Sequence, residues 1–172
     1  MKNILIASLV LLLLFSCKNS TQNPFQKQAD IYIKLISERK DVNSLMDLYS
    51  DSIQYDNMVI DEKFTSKDAL FTQRKLEWKD SLYQFQAEFP KALSIENISY
   101  FNNNIILKGI ITPYLYNDKI IPHKKFVTSL YFNSKGKIIK QEDWIDYPLP
   151  EILEIYNLQK SLEEGTLLQR QN

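Results

Sequence analysis

Acidic and aromatic side chains interleave at the end of the last strand-like run, where Glu142, Trp144 and Asp146 share one face. A carboxyl group beside an aromatic ring loses hydration, which raises its pKa toward the range that a proton donor needs. Asp146 is therefore the predicted catalytic acid or base, and Trp144 is predicted to line the same pocket. The structural alternative is that Asp146 caps the following helix or pairs with a lysine on a neighbouring strand.

Other residue types that often carry chemistry lack partners in this sequence. His123 is the single histidine, and residues 121–125 around it, IPHKK, are typical of a solvated turn. Metal sites and catalytic triads need several such groups, and no Asp/Glu cluster has metal-ligand spacing. A Gly-rich phosphate loop is also missing. We therefore expect neither a metal nor another cofactor.

Aromatic residues make up 12% of the chain, which favours a pocket for an apolar or ring-shaped ligand. Such a pocket could be lined by Tyr49, Tyr55, Trp78, Tyr114 and Trp144. The alternative, which we expect for most of them, is that these rings form the core of a small domain. Tyr55 and Trp144 are retained as predicted ligand-binding residues.

Residues 1–16 have the features of an export signal. Lys2 provides a basic start, and residues 4–15 form an uncharged apolar run that is too short to span a bilayer as a helix. The residues before and at Cys17, LFSC, resemble a bacterial lipobox, so we predict that Cys17 is lipidated. The alternative is an ordinary signal peptide followed by a chance cysteine. Since Cys17 is the only cysteine, no internal disulfide is expected.

The rest of the chain is predicted to contain one domain. Residues 17–24 are a polar tether, residues 25–147 form the folded domain, and residues 148–172 form a C-terminal helix and tail. The 21 basic and 21 acidic residues balance, which argues against a nucleic-acid partner. The expected location is the bacterial cell envelope, lipid-anchored, and the outer membrane if the cell is Gram-negative.

Hydrophobic periodicity predicts three helices before the main sheet. The first covers residues 25–39, and the second follows an Asp41 cap and buries Tyr49. The third runs to about Phe85 and directs Arg74 toward water. The buried stripe of the third helix is predicted to contain Phe71, Trp78, Leu82 and Phe85.

Alternating apolar residues predict strands at residues 53–60, 93–101, 104–116, 125–133 and 137–147. The segment 133–136, NSKG, is a tight turn between the last two strands. A final helix, residues 150–163, is predicted to bury Ile152, Leu153 and Tyr156 and to end at Gly165. Helices followed by an antiparallel meander predict an α+β fold, with N-terminal helices packed on a strongly curved antiparallel sheet and an added C-terminal helix.

Residues 48–57, LYSDSIQYDN, are similar to a motif of SnoaL-like proteins in the nuclear transport factor 2-like superfamily. Phe89-Pro90 before a strand, and the closing segment from Gly136 to Asp146, also resemble that family. The resemblance covers about residues 28–147. It implies a cystatin-like cone with a pocket at its open end, and a homodimer formed through the sheet.

The resemblance also bears on catalysis. In the isomerases of this superfamily a proton-shuttling Asp precedes the Pro of the motif, and that place is taken here by Asn57, which is followed by Met58. An amide has no useful basicity, and Asp56 is expected to point to the opposite face. We expect Asn57 and Asp146 to approach one cavity, where Asn57 orients a ligand.

The predicted function is that of an envelope-anchored lipoprotein whose SnoaL-like cone binds a small apolar ligand or mediates dimerisation, without catalysis. Its predicted ligand-binding residues are Tyr55, Asn57, Trp144 and Asp146. The alternative is an isomerase, cyclase or dehydratase that uses Asp146, because some SnoaL-like cyclases have an acid near the end of the last strand. An enzyme should bury Asp146 at the end of the cavity, whereas a binder should turn it outward.

Overall fold

The structure, a computed structural model, describes residues 23–79, 83–116 and 118–170. The predicted signal peptide, Cys17 and most of the predicted tether lie outside these residues, as does Leu82. None of the described helices is long and apolar enough to cross a membrane.

Three helices precede or interrupt the first strands, and a fourth ends the described chain. These helices are α1 (Gln26–Glu38), α2 (Val42–Met46), α3 (Lys67–Lys79) and α4 (Leu149–Arg170). Their starts follow the expected capping chemistry: the Asp41 carboxylate accepts the Ser44 amide at 2.9 Å, and the Ser66 hydroxyl accepts the Ala69 amide at 3.3 Å. Arg39 ends α1 in the left-handed conformation, with φ of 50°.

Six strands form the main sheet in the spatial order β2-β1-β9-β8-β5-β4. They are β1 (Tyr49–Asn57), β2 (Glu62–Phe64), β4 (Leu93–Tyr100), β5 (Asn104–Ile111), β8 (Lys124–Phe132) and β9 (Ile138–Ile145). Neighbours are antiparallel except β1 and β9, which run parallel. A smaller antiparallel sheet consists of β3 (Tyr83–Phe85), β6 (Tyr114–Tyr116) and β7 (Lys119–Ile121). The predicted fold class is confirmed, with one parallel pair added.

The sheet has two distinguishable ends. At the closed end Phe25 stacks on Phe132, with ring centroids 5.0 Å apart, beside the buried Ile138. At the open end β1 and β9 finish and β8 begins. Between the ends, helices α1 to α3 bury Ala29, Tyr32, Leu45, Met46 and Leu70 against the strands. The core extends from this closed end to Tyr55 and Phe126 near the open end.

The predicted turn before β9 is confirmed, but the predicted faces of β9 are wrong. Gly136 has a φ of 75°, and the Asn133 side chain accepts the Lys135 and Lys137 amides at 2.9 and 3.0 Å. Ile138 is buried, and a bulge follows it: Phe132 pairs with Ile138, whereas Tyr131 pairs with Lys140. The extra residue reverses the alternation. From Gln141 onward the odd-numbered residues face the interior.

Several element boundaries also differ from the prediction. Tyr49 begins β1 rather than ending a helix, and α3 ends at Lys79, so that Phe85 lies in β3. The predicted strand 104–116 divides at residues 112–113, where proline interrupts pairing and β6 joins the smaller sheet. The last helix continues through Gly165 to Arg170 and exposes Leu153 and Tyr156, which the periodicity had placed in the core.

Candidate functional site

The structure divides the predicted site residues between two faces of the sheet. Tyr55 and Asn57 are buried on the inward face of β1, and Asp56 is only partly buried on the other face, as expected. Trp144 is 39% exposed and Asp146 is also exposed, because the bulge in β9 turns both outward. The expectation that Asn57 and Asp146 approach one cavity is therefore wrong.

Asp143 is the acidic residue that β9 directs into the interior. Its carboxylate accepts the Thr128 hydroxyl at 2.6 Å through one oxygen and the Gln141 amide at 2.8 Å through the other. The Arg74 guanidinium lies 4.0 Å from the second oxygen. Gln141 is held in turn by the Tyr49 hydroxyl, which donates to its amide oxygen at 2.5 Å. Each Asp143 oxygen is thus already bonded within the protein.

The charges around Asp143 do not balance. Arg74 is shared, since its guanidinium also binds the Glu77 carboxylate at 2.8 Å. Burial raises the pKa of Asp143 against the opposing effect of Arg74 and the hydrogen bonds from Thr128 and Gln141. Burial also raises the pKa of Glu62, with a further contribution from the Glu77 charge. Arg74 therefore faces more carboxylates than one positive charge can neutralise.

Arg74 was expected to face water, but only 13% of its side chain is exposed. It lies three residues after Phe71 and four before Trp78, so a helical repeat puts all three on one face of α3. Its guanidinium carbon is 5.2 Å from the centroid of the Tyr55 ring. The position of Arg74 between Phe71 and Trp78 on one face of α3 was the sequence signal that it is buried.

A continuous series of side-chain contacts runs around the open end, and we call these six residues the rim: Arg39, Asn57, Tyr83, Tyr114, Lys124 and Tyr147. The Asn57 amide donates to the Tyr147 hydroxyl at 3.1 Å. The Lys124 ammonium lies 4.8 Å from the centroid of the Tyr147 ring and 6.0 Å from that of Tyr114. These contacts connect the end of β1 to β8 and β6.

The rim continues from Tyr114 to the end of α1. Tyr114 stacks on Tyr83 with ring centroids 4.4 Å apart, and the Arg39 guanidinium lies 4.4 Å above the Tyr83 ring. Burial raises the pKa of the Tyr147 hydroxyl to about 12 and that of Tyr114 further. The rim thus places the Lys124 and Arg39 cations against tyrosine rings.

Hydrogen-bond donors without partners concentrate on and beneath the rim. Among the described residues, Arg39 Nε and the Tyr83 hydroxyl on the rim are buried without a hydrogen-bond partner, as are Arg74 Nε and Trp78 Nε1 on α3. An unsatisfied buried polar group costs about 1–3 kcal/mol. The Arg39, Arg74 and Trp78 nitrogens can only donate a hydrogen bond, whereas the Tyr83 hydroxyl can either donate or accept one. The region is therefore suited to a molecule that presents acceptor oxygens.

Lys124 and Tyr147 were not predicted as site residues. Lys124 lies on the inward face of β8 with Phe126 and Thr128. The predicted strand began at residue 125, so Lys124 was left in the preceding turn. Tyr147 lies on the same face as Asp143, and the sequence does not show the bulge in β9 that turns this face inward. His123 is exposed in its turn, as expected. No group of three potential metal ligands occurs within residues 23–79, 83–116 and 118–170.

Two grooves lie elsewhere on the described surface. One, of about 790 Å³, follows α3 and is lined by Phe71, Thr72, Gln73, Lys75, Leu76, Glu77 and Lys79. The other, of about 400 Å³, lies where Ile33 and Ser37 of α1 meet the Phe89-Pro90 segment. Neither groove is lined by Asn57, Asp143 or Lys124. Of the predicted ligand-binding residues of β1, Asn57 lies on the rim and Tyr55 is buried in the core.

Comparison with solved structures shows which fold this is. The chain superposes on a candidate SnoaL-like polyketide cyclase from Shewanella putrefaciens CN-32 with a TM-score of 0.58 and 20% identity, over 75% of this chain and 84% of that one. An LEH-like epoxide hydrolase from Mycobacterium tuberculosis gives 0.56 and 12%, over 83% and 92%. These likenesses establish the nuclear transport factor 2-like cone and nothing finer.

A third similar structure contains a small molecule. It is a protein of ketosteroid isomerase-like fold from Catenulispora acidiphila DSM 44928 in complex with trimethylamine, with a TM-score of 0.57 and 11% identity, over 75% of this chain and 91% of that one. No protein-family model matches the sequence. A search of curated proteins also returned no match.

Proposed function

We propose that this chain is an envelope-anchored lipoprotein whose cone binds a small molecule at the rim and catalyses no reaction. The observation that carries the proposal is the convergence of aromatic faces and unpaired donors at the open end. Tyr83, Tyr114 and Tyr147 form an aromatic wall, while Arg39 Nε and the Tyr83 hydroxyl are buried donors without a partner among the described residues. Apolar walls with a few fixed polar groups are the usual composition of a ligand site.

The interior acid, Asp143, is poorly placed to act as a general base. A general base needs a lone pair directed at the substrate proton. Both Asp143 oxygens accept hydrogen bonds from Thr128 and Gln141, so the carboxylate serves the packing of the sheet. Asn57 is an amide and Asp146 is turned to the outer surface, which is the position expected of a binder. The complex of the Catenulispora acidiphila protein with trimethylamine supports small-molecule binding on this fold.

The experiment that tests the proposal is mass spectrometry of the small molecules that co-purify with residues 18–172. The core residues all lie between Phe25 and Ile145, so this fragment retains them. A single organic compound should appear in stoichiometric amount and be lost on denaturation. Absence of any bound compound, together with failure to bind apolar dyes, would contradict the proposal.

A proton-transfer enzyme is the second candidate function, and it is favoured by the raised pKa of Asp143 beside Arg74. A carboxyl with a raised pKa keeps its proton to higher pH than an ordinary Asp, and it could donate that proton to a substrate that reaches the interior. The co-purified compound distinguishes the two. A binder should return it unchanged after prolonged incubation, whereas an enzyme should convert it, and Asp143→Asn should abolish the conversion.

Dimerisation through the sheet also has one supporting observation. Trp144 is exposed on the outer face of β9, opposite Val127 of β8. An exposed tryptophan of this kind is enriched at protein interfaces. Sedimentation velocity should show a dimer that Trp144→Lys converts to a monomer; a monomer for the unsubstituted chain at micromolar concentration would contradict it.

A further inference from the structure

Lys124 is a buried cation at the open end of the cone. Only 3% of its side chain is exposed, and it occupies the first position of β8. Burying an ammonium group costs several kcal/mol unless it is paired. Its ion-pair partner is the Glu151 carboxylate from the first turn of α4, while the Tyr147 ring covers it at 4.8 Å. The structure thus contains a shielded position where a carboxylate meets an ammonium group.

The carboxylate at that position belongs to a lightly packed element. Glu151 itself is 30% exposed, and α4 leaves Leu149, Leu153 and Tyr156 exposed. Ile152 and Ile155 are partly buried. Little apolar contact would be lost if the first turn of α4 moved away from the rim. Glu151 can therefore be exchanged for another carboxylate at small cost in packing.

The surroundings of Lys124 extend this position into a larger site. The Tyr114 ring, 6.0 Å from the ammonium group, is stacked on Tyr83, whose buried hydroxyl has no hydrogen-bond partner among the described residues. Arg39 lies above the far side of the same stack and also has an unpaired donor. Because each ring of the stack is covered by the other and by Arg39 or Lys124, a molecule with its anionic end on Lys124 would place its apolar body against the edges of the stacked rings.

We propose that the rim is a site for a small organic anion with an apolar body, and that Glu151 occupies the anion position until the ligand displaces it. This inference rests on the proposed function and names its ligand class. Exchange of one carboxylate for another leaves the charge of the rim unchanged, so Lys124 remains paired in both states. α4 is then a competitor of the ligand rather than part of its site.

Two dyes with the same ring system test the proposal. 1-Anilinonaphthalene-8-sulfonate carries an anionic group, and N-phenyl-1-naphthylamine lacks it; both fluoresce on entering an apolar site. Full-length protein carrying Glu151→Gln should bind the sulfonate about tenfold more tightly than the unsubstituted protein, since the loss of one charged competitor is worth about a factor of ten. Its affinity for the neutral dye should change by less than about twofold. Glu154→Gln, one turn further along α4, is the matched control and should change neither affinity.

Lys124→Met should weaken sulfonate binding about tenfold, to the level of the neutral dye. Lys125→Met, on the exposed face of the same strand, is its control. Circular dichroism verifies folding, and if Lys124→Met does not fold, the Glu151→Gln comparison decides. An unchanged or lower sulfonate affinity in Glu151→Gln overturns the proposal.

The two proposals fail in distinguishable ways. If both dyes bind equally, and Lys124→Met and Glu151→Gln leave both affinities unchanged, the anion site is wrong but small-molecule binding by the cone stands. If neither dye binds to any variant and no compound co-purifies, the proposed function is wrong and the anion site falls with it.

Discussion

At the scale of single residues, Asp143 shows how a buried acid can be fully bonded and still be electrostatically strained. Thr128 and Gln141 satisfy its oxygens, but Arg74 is divided between Asp143 and Glu77. Hydrogen bonds from neutral donors favour the charged form less than an unshared cation would. The balance of these effects is visible in how stability depends on pH.

Asp143 should make the folded protein less stable as pH rises. Its pKa in the folded state is raised above the ordinary value of 3.8 by burial, so the folded chain holds a proton that the unfolded chain has released. The free energy of unfolding should therefore fall as pH rises from about 3.8 through the raised pKa, and then level off. Urea titrations of the unsubstituted protein and Asp143→Asn between pH 4 and 7 measure this.

The Asn variant cannot titrate at this position, so it isolates the contribution of Asp143. The stability of the unsubstituted protein minus that of the variant should be larger at pH 4 than at pH 7. The opposite trend would mean that Arg74 lowers the pKa of Asp143 below its ordinary value, and that the pair is a well-matched salt bridge.

The two tryptophans should differ strongly in their contribution to stability. Trp144 is exposed on the outer face, so Trp144→Ala should lower the free energy of unfolding by less than about 1 kcal/mol. Trp78 packs against the core from α3, so Trp78→Ala should cost about 3 kcal/mol. Chemical denaturation of both variants checks this. A large loss for Trp144→Ala alone would put its ring in a buried interface.

At the scale of elements, residue alternation predicted the faces of a regular strand but not those of a bulged one. Alternation correctly predicted a strand at residues 125–133, where β8 directs Phe126, Thr128, Leu130 and Phe132 inward, because a regular strand has a strict period of two. In β9 one extra residue follows Ile138, so the sequence still alternates but the inward and outward positions are swapped. The prediction therefore placed Trp144 and Asp146 in the interior, whereas the structure buries Gln141 and Asp143 there. The bulge depends on pairing with β8, which a single strand's sequence does not show.

Arg74 and Lys124 illustrate a second limit of sequence reasoning. Charged residues are usually solvated, and both were read in that way. Their burial depends on partners far away in sequence, Asp143 for one and Glu151 for the other, and tertiary pairing outweighs the preference of a lone side chain for water. Residue spacing placed Asn57 correctly, because it continues the inward parity of Ile53 and Tyr55.

Gly109 should be essential for the pairing of β4 with β5. A Cβ at this position would lie 2.2 Å from the Ser94 carbonyl oxygen, and backbone cannot yield as a flexible side chain does. Gly109→Ala should therefore lower the free energy of unfolding by about 3 kcal/mol, at the upper end of overpacking costs. Thermal unfolding measures it. The neighbouring exposed Lys108→Ala is the control and should stay within about 0.5 kcal/mol, and equal effects would contradict the close approach.

At the scale of the whole molecule, the proposed lipid anchor is the feature with the largest consequence. Acyl chains on Cys17 would add about 0.8 kcal/mol per buried methylene, enough in combination to hold the chain on a membrane. Cys17→Ser should therefore move the protein from the membrane pellet to the soluble fraction. Ser20→Ala, in the predicted tether, is the control and should remain in the pellet. A Cys17→Ser protein that still pellets would contradict lipidation.

The position of Asn23 has a consequence for how an anchored molecule would be oriented. Its side chain donates to the Phe101 carbonyl at 2.8 Å, beside the turn between β4 and β5, which lies at the closed end of the sheet. Six residues of chain reach at most about 20 Å, so a lipid on Cys17 would keep that end close to the bilayer. Eight-residue strands add about 26 Å before the rim is reached. The binding site would then point into the aqueous compartment and collect dissolved molecules, rather than extract them from the lipid phase.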